Sequence, residues 1–154
     1  MSDREIMEES LVALGDRYEG LAEELFATLI ASRPQYAAAF INPEAARERM
    51  TGETLEAMVG LAASEWWVDG AVTSFVDLHR NYADFDAGDY EAWILMTIAA
   101  IERRAGSDWP AGASAAWARQ ADALNAIVAR ELAGHAARAA RKRLAEPAGT
   151  TATD

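Results

Sequence analysis

Apolar residues recur at three- and four-residue spacing along most of this chain, the period of helices that each bury one face. Ile6, Leu11 and Leu14 form the first such stripe, with Ser2 or Asp3 as its candidate N-cap. A second stripe runs through Tyr18, Leu21, Leu25, Phe26, Leu29 and Ile30. Pro34 ends it or opens a short helix that leads to Phe40. Asn42, just ahead of Pro43 and Glu44, reads as the cap of a helix carrying Met50, Leu55, Met58, Val59 and Leu61. Trp66 to Gly70 predicts a break, and a helix bearing His79 follows. Asp84 to Asp89, with Gly88, predicts a polar turn. Tyr90 to Arg104 predicts a helix with Trp93, Ile94, Ile98 and Ile101 turned inward. After a turn from Gly106 to Pro110, a long helix through Trp117, Leu124, Ile127, Val128 and Leu132 is expected to reach residue 137.

Composition agrees with an all-α chain: alanine is abundant and only four prolines occur. A length of 154 residues suits one domain, expected over residues 1–137, and no internal repeat or linker interrupts it. Residues 138–154 are basic, then rich in Pro, Gly and Thr, and are expected to fray or stay disordered. The absence of cysteine excludes disulfides and thiolate sites. A net charge of −11 opposes nucleic-acid phosphates and anionic membranes. No apolar run approaches the roughly 18 residues of a membrane span, and the acidic start lacks a signal core. These features lead us to expect a soluble, cytoplasmic protein, either a monomer or a homodimer.

Candidate chemistry centres on His79, one of two histidines. Phe75, Leu78, His79 and Tyr82 share a helical face, so His79 points where apolar residues point. An inward imidazole is either a hydrogen-bonded core residue or a ligand. Asp84, Asp86 and Asp89 lack the glycine spacing and terminal Glu of a calcium loop. The chain has no glycine-rich phosphate loop and no nucleophile–His–acid set.

His79 is followed by Tyr82, Phe85 and Tyr90, then by Gly106, Trp109 and Trp117; Phe26, Pro34 and Phe40 precede it. In this order the chain resembles the bacterial single-domain globins and the globin domains of flavohaemoglobins, over residues 5–132. The resemblance implies a globin-like fold around a haem (heme b), with His79 as the proximal iron ligand through Nε2. It places Phe75, Tyr82 and Phe85 on the proximal side, Trp93 and Ile94 along the haem edge, and Phe40 flat on the porphyrin. Tyr90 matches a family Tyr that acts near the proximal His together with a Glu in the last helix. That Glu position falls on Leu132, beside Glu131, and a family Tyr is replaced by Ala121.

On the distal side the family commonly has a Tyr where this chain has Phe26. The family's distal Gln falls on Arg47, and its apolar neighbour falls on Thr51. A register one turn later would place Thr51 and Leu55 there instead. Arg47 is read either as a donor to a bound anion or propionate, or as a surface arginine paired with Glu44 or Glu48. Met50 is a possible sixth ligand or a packing residue. The resemblance implies reversible binding of a diatomic gas (oxygen, nitric oxide or carbon monoxide) or a small anion. Nitric-oxide dioxygenase or peroxidase-like turnover would need an external reductase. Two other readings are open: a haem-free sensor or interaction module on the same fold, and a diverged enzyme using Arg47 and Thr51.

Overall fold

The computed structural model describes residues 1–146, and these are all-helical, with no strand among them. Six helices follow in order: α1 (Asp3–Leu14), α2 (Leu21–Ser32), α3 (Pro43–Ala62), α4 (Trp67–His79), α5 (Ala87–Ala105) and α6 (Ala113–Ala145). Short 3₁₀ turns at Gly15–Tyr18, Pro34–Ala39 and Gly106–Asp108 join them. None of the described helices is long and apolar enough to cross a membrane.

Local chemistry sets three of the six helix starts. Ser2 caps α1 through a reciprocal box: its Oγ accepts from the Glu5 N–H at 3.3 Å, and its own N–H donates to Glu5 Oε2 at 2.7 Å. Asp3 is thereby free to bind Arg119 of α6 with both oxygens, at 2.9 and 2.6 Å. Arg119 and Gln120 donate to the Asp3 carboxyl and hold it below its ordinary value, against the opposing effect of desolvation. Asn42 caps α3 with Pro43 at the first helical position, as the sequence predicts. Asp86 and Asp89 form a second box that starts α5 at Ala87, earlier than the predicted Tyr90.

Two other boundaries differ from expectation. The break before α4 lies at Ser64, which adopts a left-handed φ of 56°, and Gly70 sits inside the helix. At the far end α6 continues past residue 137 to Ala145, because Ala-, Arg- and Lys-rich sequence keeps high helix propensity. The predicted boundary at 137/138 therefore falls within a helix. Residues 147–154 of the predicted tail lie outside the described residues.

The long α6 packs against α1, α3, α4 and α5, and α2 packs against α3 and α5. Trp117 of α6 is fully buried at the centre of this arrangement. Its indole N–H donates to Ser10 Oγ at 2.8 Å, and Ser10 donates in turn to the Met7 carbonyl at 2.6 Å. A polar residue is thus buried on α1, where the sequence pattern points to Ile6 and Leu11; those two are only partly buried.

The approach of α3 to α4 depends on Gly60. A Cβ there would lie 2.7 Å from Val68 Cγ2 and 3.0 Å from Trp67 Cζ2. Val68 is fully buried and β-branched, so it has little room to yield. Gly60→Ala is therefore expected to destabilise the fold. Overpacking costs about 1–3 kcal/mol, and the gain in helix propensity returns about 1 kcal/mol of it. Urea unfolding of this variant checks the expectation; a midpoint at or above that of the wild type would show that the helices can separate without loss.

Candidate functional site

A cavity of about 100 Å³ lies where α3, α4 and the start of α5 meet. Most of its wall is apolar, including Leu29, Val72, Val76, Leu124 and Val128. Of the site residues named from the sequence, the structure brings Phe40, Met50, Phe75, His79, Phe85, Tyr90, Trp93 and Ile94 to this cavity. Phe26, Arg47, Thr51 and Tyr82 do not line it.

His79 is the last residue of α4. Its Nδ1 lies 2.6 Å from the Phe75 carbonyl oxygen, one turn back. A carbonyl can only accept, so Nδ1 carries the proton, and in the neutral ring Nε2 keeps its lone pair. The only hydrogen bond of the ring among the described residues is the one at Nδ1. Phe85 and Tyr90 meet the imidazole edge-on, with ring centroids at 5.6 and 5.8 Å. The site thus offers one oriented imidazole, with a free basic nitrogen, beside an apolar space. Among the described residues no group of three or more His, Asp or Glu side chains could hold a metal ion by itself.

The α3 wall of the cavity matches neither distal register. Met50, Glu53, Thr54 and Ala57 face the cavity. Thr51 is buried elsewhere and donates to the Arg47 carbonyl at 2.8 Å, while Leu55 and Met58 belong to the main core. Apolar residues occur on more than one face of α3, so the pattern alone could not choose which face meets the cavity. Thr54 donates to the Met50 carbonyl at 2.6 Å and accepts from the Trp93 indole N–H at 3.0 Å. Its hydroxyl proton is therefore already engaged. Arg47 is partly buried; its Nε has no hydrogen-bond partner, and it forms no ion pair with Glu44 or Glu48 among the described residues. With Arg47 and Thr51 off the cavity, the enzyme reading built on them loses its geometric basis.

The remaining departures have simple causes. Phe26 packs edge-on against Phe40 at 4.9 Å and reaches the cavity only through it. Tyr82 lies beyond the end of α4, where the helical spacing that would turn it inward no longer applies, and it is 47% exposed. Tyr90 touches the His79 ring but makes no hydrogen bond to it. Burial, with the Asp89 charge beside it, pushes the Tyr90 phenol up to about 12, so it stays protonated at neutral pH. Leu132 packs on the core, and Glu131 lies 3.5 Å from Arg130.

Sequence reasoning missed the rim. Tyr36 donates to Asp89 Oδ2 at 2.8 Å, and Arg33 Nε binds Asp89 Oδ1 at 2.6 Å. Tyr36 also packs against Phe85, with ring centroids 4.5 Å apart and the planes tilted by 46°. These contacts tie the segment after α2 to the start of α5 and close one side of the cavity. The only sequence signal was Asp89 at the third position of a capping box, which suggests a local role rather than a contact with residue 36. A wider cleft of about 450 Å³ opens elsewhere along α3, beside Tyr18, Gly52, Glu56 and Trp67; it contains no imidazole.

The chain matches no family model, no curated protein and no solved structure. The functional reading therefore rests on the chemistry of the His79 cavity.

Proposed function

We propose that this protein is a single-domain globin that holds haem through His79 and reversibly binds a diatomic gas or small anion there. The observation that carries the reading is the His79 imidazole: Nδ1 is tied to the Phe75 carbonyl, and Nε2 is left free at an apolar cavity. The helix order supports it, with a short 3₁₀ segment between α2 and α3 and with α6 packed against α1, α4 and α5.

The donor chemistry fits haem, whose iron supplies a centre for small ligands when bound. His79, oriented by the Phe75 carbonyl, would hold the iron. Phe40, Phe85, Trp93 and Ile94 would enclose the ring. The bond from Trp93 to Thr54 fixes the α3 wall, and the bond from Thr54 to the Met50 carbonyl leaves its hydroxyl no proton to donate to a ligand. A ligand that gathers negative charge gains no hydrogen bond from Thr54, so the α3 side favours carbon monoxide relative to oxygen.

The cavity, about 100 Å³, is smaller than the roughly 300–1,000 Å³ of cofactor and ligand pockets. A haem would need more room than this cavity gives, with Tyr36 and Asp89 on its wall. This small volume favours a second reading, a haem-free module on the same fold. Titration of haemin into the purified chain tests the two. A Soret band that saturates at one haem per chain supports the globin reading; no band at stoichiometric haemin supports the haem-free one.

A further inference from the structure

His135, the second histidine, lies buried on α6 against the outer side of α4, with 8% of its surface exposed. Arg80 Nη1 lies 2.7 Å from its Nδ1, and Arg138 Nη2 lies 2.9 Å from the same atom. A guanidinium can only donate, so Nδ1 is the acceptor and the ring carries its proton on Nε2. That Nε2 is 2.7 Å from Asp77 Oδ1, but the two are not aligned as a hydrogen bond, and Nε2 has no hydrogen-bond partner among the described residues.

The arrangement oversupplies donors. An imidazole nitrogen has one in-plane lone pair, yet two guanidiniums converge on it. Neither Arg80 nor Arg138 forms an ion pair with a described carboxylate, and neither makes another side-chain hydrogen bond to a described residue. Asp77 is the single carboxylate at the ring, on its opposite edge. Glu131, one turn earlier on α6, is turned toward Arg130. Arg141, Lys142 and Arg143 continue the basic run along α6, on a chain whose net charge is −11.

The geometry points to a binding site for a phosphate-bearing anion at Arg80 and Arg138. Planar guanidiniums bind phosphate through paired N–H donors, more strongly than they bind a neutral nitrogen. Both side chains are exposed, so their remaining donors are accessible from solvent. An anion across the two would relieve the repulsion between cations held within 2.9 Å of one atom. The buried His135 acts as a positioning residue that keeps both forks at one place, one at the C-terminal cap of α4 and one on α6. The proposal does not depend on haem.

The phosphate could be free in solution or carried on a lipid headgroup, so the test has two arms. Pyrophosphate binding is measured by calorimetry, and flotation is measured with vesicles containing phosphatidylglycerol. Each arm uses the full chain and the variants Arg80→Gln, Arg138→Gln and Arg4→Gln. Loss of a charged hydrogen-bond donor should weaken binding about tenfold in each of the first two variants. Arg4→Gln, which removes a surface pair with Glu8, should change nothing. Pyrophosphate binding with this pattern supports a soluble anion, and vesicle binding alone with this pattern supports a headgroup. Failure of both arms, or equal binding by all variants, overturns the proposal.

Discussion

His79→Ala is expected to abolish the Soret band that haemin gives with the wild-type chain, whereas His135→Ala is expected to retain it. Only His79 lines the cavity; His135 is turned toward Asp77, Arg80 and Arg138. Loss of an outer partner that merely orients a ligand costs roughly 10–100-fold in metal affinity. Loss of the ligand itself should cost more, so haemin affinity should fall by about 100-fold or further. Added free imidazole should restore the band in His79→Ala by filling the vacated space, a rescue that a purely structural role would not give. Circular dichroism on the same samples separates loss of ligation from loss of fold. A normal spectrum in His79→Ala, without imidazole, would rule out the assignment.

The second large effect is expected at Asp89, where three sets of contacts meet. Its carboxylate accepts from the Asp86 backbone N–H, the Tyr36 hydroxyl and the Arg33 guanidinium. Both members of the Arg33–Asp89 pair are largely shielded, with side chains 25% and 12% exposed. Asp89→Ala should therefore cost roughly 2–4 kcal/mol, more than an exposed pair would. Burial on its own would push the Asp89 carboxyl up; the Asp86 N–H, the Tyr36 hydroxyl and Arg33 outweigh it and hold it below the ordinary 3.8. The folded state thus binds this proton less tightly than the unfolded chain does. The contribution is complete above the ordinary value and is lost as pH falls through the lower folded-state value. Urea unfolding across the acid range should show a wide gap between wild type and variant at neutral pH, narrowing as the carboxyl protonates. A constant gap would mean that the charge of Asp89 is not what holds the rim. If the rim gates the cavity, the variant should also take up haemin faster than the wild type.

What the sequence determined by itself is local. Asn42 before Pro43 was readable as a cap because capping acts within one turn. The inward direction of His79 was readable because Phe75 and His79 lie four residues apart on one helix, and the bond between them is that same turn. The all-α character followed from period and composition. The features that tertiary structure decided depend on distant partners. Tyr36 meets Asp89 across 53 residues of chain. The inward face of α3 was ambiguous in sequence because its apolar residues are spread around the helix. Packing resolved it: Trp93 of α5 donates to Thr54, while Leu55 and Met58 pack into the core. Gly70 stayed helical and the chain broke at Ser64 instead; α4 packs on α3 beside Gly60, where a Cβ would crowd Val68 and Trp67. The small size of the cavity has the same origin, since its volume depends on how closely α3, α4 and α5 approach and no short stretch of sequence encodes that spacing.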